Sequence, residues 1–136
     1  MIKFLLFLWQ FPQDLVGFFW TRFLEKESVN GITFYYGRCF KCGVSLGDYI
    51  ILDNVYRNTT KKKLIQTVKH EYGHSKQSKF FGPFYLLFVG LPSVCGNMVD
   101  RYDHGGWTIL QRKKWYYSKY PEKWADKLGG VVRFTS

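Results

Sequence analysis

Apolar residues along the chain change their spacing several times, and each spacing predicts a different element. Residues 1–24, "MIKFLLFLWQFPQDLVGFFWTRFL", are apolar almost throughout but are interrupted at Pro12 and Asp14. The two apolar pieces are about ten residues or fewer, well under the ~20 that a membrane-crossing helix needs, which predicts an interfacial helix pair or a shallow membrane hairpin. "GITFYYG" (Gly31 to Gly37) and "VSLGDYIIL" (Val44 to Leu52) are rich in β-branched and aromatic residues and bounded by glycines. They predict two strands of a β-hairpin joined through "RCFKCG". Asn58, Thr59 or Thr60 then offers an N-cap for a helix from about Lys61 to Phe80, which Gly82-Pro83 stops. Ser118 and Pro121 open a last short helix and Gly129-Gly130 closes it.

The segment Phe80 to Val99 carries no charged side chain. As a straight helix at ~1.5 Å per residue it would just cross a ~30 Å hydrocarbon core. Gly90 and Pro92 sit near its middle, however, and predict a turn at Gly90-Leu91-Pro92 that makes the segment a re-entrant or interfacial hairpin. The resulting fold class is α+β. An apolar, membrane-associating segment at 1–24 precedes a compact domain at 25–136 that contains the apolar hairpin at 80–99.

Charge sharpens this picture. The chain has 20 Lys and Arg against 10 Asp and Glu, a net charge of +10, with 21% aromatic residues. Such a balance favours an anionic membrane surface or nucleic acid as partner. The lysines are spread over several elements without a nucleic-acid motif, which disfavours nucleic acid. Cys39 and Cys42 form a lone C-x-x-C with no second cysteine or histidine pair to complete a structural metal site, so they read as incidental thiols in a reducing compartment.

The candidate chemistry lies in the helix predicted from Lys61. His70 and His74 are four apart, so their rings leave one helix face a turn apart and can share a metal. Glu71, beside the first histidine, is placed to take a proton from metal-bound water rather than to bind the metal. A catalytic zinc needs a third protein ligand. "YPEKWADKLGG" supplies a second i,i+4 pair: Glu122 as ligand, and Asp126 as acceptor of the free ring N–H of a ligand histidine. Asp100, Asp103 and His104 are the rival ligands. His104, Tyr116, Tyr117 and Arg133 are the side chains that can donate to a developing oxyanion, and the sequence does not choose among them.

His70, Glu71, Gly73 and His74, followed by Glu122, Ala125, Asp126 and Gly129, resemble the H-E-x-G-H … E-x-x-A-D-x-x-G pattern of gluzincin zinc metallopeptidases. The membrane-bound group that includes the CAAX prenyl protease and the HtpX-type proteases is the most similar. The resemblance implies a minimal zincin with zinc ligands His70, His74 and Glu122, catalytic base Glu71 and supporting Asp126. It further implies an edge strand ahead of the zinc helix that pairs with an extended substrate, a part for which "VSLGDYIIL" is placed. Gln77 and Phe80 stand where the metzincin pattern has Gly and His, and Val99-Asp100-Arg101 replaces the Leu-Asp-Gly context of the intramembrane site-2-type proteases. The expected function is therefore a membrane-associated, zinc-dependent hydrolase of protein or peptide substrates, with its active site on the cytoplasmic face. The alternative is a basic protein that binds a membrane surface or nucleic acid and carries a non-catalytic metal site.

Overall fold

The computed structural model describes residues 1–39 and 42–133. Helices α1 (Ile2–Trp9) and α2 (Phe11–Thr21) precede strands β1 (Glu25–Val29), β2 (Ile32–Gly37), β3 (Gly43–Leu46) and β4 (Tyr49–Asp53). Helix α3 (Lys61–Phe81) follows, then α4 (Leu91–Asp103), α5 (Ile109–Tyr117) and α6 (Glu122–Gly129). The fold is α+β, as the patterning predicts.

The four strands form one sheet in the order β1-β2-β4-β3. Asn30 (φ 51°) and Gly31 (φ 75°) make the tight turn between β1 and β2, a pair whose backbone twist suits a two-residue hairpin. The expected hairpin between 31–37 and 44–52 is not formed. Gly47, at φ 65°, folds "VSLGDYIIL" back on itself as the β3–β4 hairpin, with Ser45 opposite Ile50. Strands β2 and β4 then meet in parallel, Tyr36 opposite Leu52. Phe40 and Lys41, in the middle of the expected connection, lie outside the described residues. Strand β3 is left as an open edge of the sheet.

One sheet face carries Phe34, Tyr36, Ile50 and Leu52 against Val68 of α3. Each such side chain, removed from water, contributes about 1.5–3 kcal/mol. Ile51 points the other way and packs with Leu46 and Cys39. Thr60 caps α3 by accepting from the Lys63 N–H, and Gly82 ends it at φ 58° and ψ −129°. Helix α6 lies very close on α3. A Cβ at Gly73 would lie 1.8 Å from the Ala125 carbonyl oxygen, and one at Gly129 1.9 Å from that of Lys69. Two glycines and an alanine in the motifs thus set the distance between the two helices.

The chain does not reverse at Gly90-Leu91-Pro92. Gly90 has φ −59° and ψ −51°, and a π-helical turn (Leu86–Gly90) runs directly into α4. Pro92 stands in the first turn of α4, where a missing N–H costs little. Proline cannot return a helical bond to the carbonyl four residues back, and the Tyr120 hydroxyl donates to that Phe88 oxygen instead. The reversal comes later, between α4 and α5, where Thr108 and Gln111 form a capping box. Helix α5 then contacts both α4 and α6.

Helices α1 and α2 are docked on the end of α3 by polar contacts. Trp9 Nε1 donates to Lys79 O at 2.8 Å, and Gln13 Nε2 donates to Ser78 Oγ at 2.9 Å and Gly82 O at 2.7 Å. Asp14 accepts from the Asp48 N–H at 2.7 Å. Among the described residues no helix is long and apolar enough to cross a membrane.

Candidate metal centre

Helix α3 turns His70, Glu71 and His74 inward, and α6 brings Glu122 and Asp126 to meet them, all five buried. Glu122 Oε2 lies 2.8 Å from His70 Nε2 and 3.0 Å from His74 Nε2. The remaining ring nitrogens are held from behind. His70 Nδ1 is 2.7 Å from Asp126 Oδ1, and His74 Nδ1 is 2.7 Å from Gln77 Oε1. Gln77 gives its own N–H to Pro121 O at 3.0 Å, so its oxygen faces the ring as an acceptor. Asp126 is itself fixed by Arg133 Nε at 2.7 Å.

These partners decide where the imidazole protons sit. With Nδ1–H donating to Asp126 and to Gln77, both Nε2 atoms are turned toward one oxygen of a carboxylate, where each can face a cation or share a proton with that oxygen. A metal cation placed among these three atoms would take their lone pairs in place of the shared protons. His70, His74 and Glu122 can thus hold a metal ion. The other oxygen of Glu122 accepts from the Tyr116 hydroxyl at 3.0 Å and from the Ser93 hydroxyl, which leaves Oε2 free for that role.

Without a metal, the site's electrostatics are those of histidines hydrogen-bonded to the carboxylate. Burial alone would raise Glu122, but hydrogen bonds from His70 and His74 outweigh it and hold the carboxyl well below its usual range. Burial likewise opposes a charge on His70, and its bonds to Asp126 and Glu122 override that and push it up to about 9. Glu71 is different: burial raises it, against the pull of both histidines. Its carboxylate lies against the start of β3, since a Cβ on Gly43 would be 2.5 Å from Glu71 Oε1. A basic carboxylate beside an open strand edge is suited to exchange protons with something bound along that edge.

The other sequence-derived residues separate clearly. Asp100 binds Arg112 through Nε at 3.1 Å and Nη2 at 2.9 Å, and lies 3.2 Å from His104, so neither Asp100 nor His104 joins the metal group. His104 is also stacked on Trp107 with ring centroids 3.7 Å apart. Asp103 is exposed and likewise outside the group. Tyr117 sets its ring edge-to-face on His70 at 5.2 Å, with the Arg133 guanidinium 3.5 Å over it. Gln77 and Ser93 were not foreseen. Gln77 stands three residues after His74, a same-face spacing that marks it as a partner for that ring; Ser93 gives no such signal. Compared with protein-family models, curated proteins and solved structures, the chain has no match.

Proposed function

We propose that this protein is a zinc-dependent metallopeptidase that works at a membrane surface. One observation carries the reading: two histidine Nε2 atoms lie within 3.0 Å of one carboxylate oxygen, each histidine fixed from behind, with a further buried glutamate next in sequence to the first. Two imidazoles and a carboxylate on two helices are the donor set of catalytic zinc sites, which keep a fourth position open. Zinc, when bound, supplies a Lewis acid that polarises the scissile carbonyl and acidifies a water.

The chain's own residues do the rest. Strand β3, the open edge, hydrogen-bonds an extended peptide and lays its backbone past Gly43. Glu71 takes the proton of the attacking water and returns it to the leaving amine. Asp126 and Gln77 keep the ligand rings in one tautomer. Of the four candidate oxyanion donors, Tyr117 suits the task best, because His104, Tyr116 and Arg133 are engaged with Asp100, Glu122 and Asp126. The membrane surface is supported by the distribution of exposed hydrocarbon. Three quarters of the exposed large hydrophobic residues among those described lie in 1–23 and 80–99. A cytoplasmic face suits the free thiols.

Glu71→Gln tests the reaction directly. The amide keeps the shape of the side chain but cannot take a proton, so the variant should retain its zinc and lose hydrolysis of an unstructured protein substrate by ~10²–10⁴-fold. Undiminished turnover would remove Glu71 from the chemistry. Loss of zinc would make it a ligand rather than a base.

A further inference from the structure

Helix α4 is built inside out. Ser93, Asn97 and Asp100 lie half-buried on its inner face and lead to buried His104, a polar stripe at helical spacing. Leu91, Val94 and Met98 form the outer stripe and are 54%, 57% and 51% exposed. Leu87, 56% exposed, continues it toward α3. No residue of α4 or α5 is fully buried. The two helices are tied to each other by the Asp100–Arg112 pair and to the metal centre by the hydroxyls of Ser93 and Tyr116 on Glu122. They therefore cover a site whose histidines and carboxylates are nearly excluded from solvent, yet they lack a hydrocarbon core of their own to hold them there.

The outer stripe fits a bilayer with anionic headgroups. A second apolar surface, that of α1 and α2, is anchored where α3 ends and the chain turns toward α4: Trp9 of α1 packs on Gly82 and Gln13 of α2 bonds its carbonyl. The charges around both are mainly cationic. From residue 54 to the end of α4 at Asp103 the chain has eight Lys and Arg against three acids, of which Glu71 is buried, Asp100 is paired with Arg112 and Asp103 is exposed. In 1–24, Lys3 and Arg22 are exposed and Asp14 is buried. Hydrocarbon beside an excess of cations matches the acyl and headgroup layers of an anionic membrane.

We propose that the outer face of α4 seats in an anionic lipid surface and that this seating draws the α4–α5 cover away from the metal centre, admitting substrate only at the membrane. This rests on the metallopeptidase reading and assigns that site its regulation. In solution the cover stays shut, held by the two hydroxyls on Glu122. At a bilayer the Leu87, Leu91, Val94 and Met98 side chains gain an apolar environment that the closed state leaves in water.

The test measures access to zinc rather than turnover. The zinc-loaded full chain is mixed with EDTA, and release is followed with no vesicles, with phosphatidylcholine vesicles, and with phosphatidylcholine–phosphatidylglycerol vesicles. Release should quicken by about tenfold or more with the anionic vesicles alone. The double variant Val94→Glu with Met98→Glu should keep the solution rate and lose the acceleration. Both positions are exposed, so its thermal midpoint should match the wild type. Unchanged release from wild type that sediments with the vesicles overturns the proposal, as does equal acceleration by neutral vesicles or acceleration that survives in the variant. A wild type that is dimeric without vesicles and made monomeric by the variant would assign the face to a second copy and also overturn it. A chain that holds no zinc at the outset refutes the metallopeptidase reading instead.

Discussion

Helices α3 and α4 both turn polar groups toward the metal centre, but they are held in place by different means. Helix α3 buries Val68 against the sheet and meets α6 backbone to backbone at Gly73, so His70 and His74 sit on a frame that cannot shift without breaking packing. Helix α4 reaches Glu122 through the Ser93 hydroxyl and leaves its hydrocarbon outside. The outward faces differ as well. Exposed positions on α3 include Lys61, Lys62, Lys63, Lys76 and Lys79, whereas those on α4 include Leu91, Val94, Met98 and Val99. A rigid half carries the ligands, and a weakly held half controls what reaches them.

Glycine substitutions are the sharpest way to break this comparison. Gly73→Ala drives a methyl group to within 1.8 Å of a backbone carbonyl that cannot rotate away. It should cost about 3 kcal/mol or more, separate α6 from α3 and lower the denaturant midpoint together with the zinc content. A variant as stable as wild type would show that the two helices do not need their close approach.

Asp126→Ala leaves His70 Nδ1 without its acceptor and Arg133 without its partner. Zinc affinity should fall by ~10–100-fold, measured by competition with a chromophoric chelator, while the far-ultraviolet circular dichroism is unchanged. Unaltered affinity would mean that Asp126 serves only to anchor Arg133.

Asp14 extends the comparison to the N-terminal helices, which are also docked through polar contacts. Burial raises its carboxyl from 3.8 to about 6, although the Asp48 N–H pulls the other way. The folded state then holds the proton more tightly than the unfolded chain. This group favours folding below pH 4, and its contribution is lost as the pH rises through 6. The loss should be about 2 kcal/mol across that window, and Asp14→Asn should flatten the stability profile between pH 4 and 7. An unchanged slope in the variant would remove Asp14 as its source.

The smallest effect completes the glycine pair. A Cβ at Gly96 of α4 would meet only a Tyr116 ring carbon at 3.8 Å, an ordinary contact. Gly96→Ala should therefore stabilise the protein by about 0.5–1 kcal/mol through the unfolded chain, the opposite sign to Gly73→Ala. A thermal midpoint below that of the wild type would mean that α4 is packed as tightly as α3.

The two halves were also unequally legible in the sequence. The helix that carries His70 and His74 and its partner could be read because helical geometry converts i,i+4 spacing directly into a shared face, as for His70 and His74 or Glu122 and Asp126. Strand pairing has no such local code. Gly47 bends the chain inside a segment that otherwise reads as one strand, and β1, "EKESV", is an exposed edge strand without a hydrophobic alternation to reveal it. Gly90 and Pro92 misled in the reverse sense. Both residue types mark turns, yet each is also tolerated in a first helical turn, and only tertiary contacts such as Tyr120 on Phe88 decide. Helix α5, "ILQRKKWYY", lacks a clean apolar stripe because its inner face is filled by half-buried tyrosines and a tryptophan.

The most direct measurement is the metal content of the purified protein, wild type beside Glu122→Ala, by inductively coupled plasma mass spectrometry after exhaustive dialysis. We expect about one zinc per wild-type chain and little in the variant, because a catalytic site left with two protein ligands binds weakly. Equal zinc in both proteins, or zinc in neither, would contradict the assignment of His70, His74 and Glu122 as the metal centre.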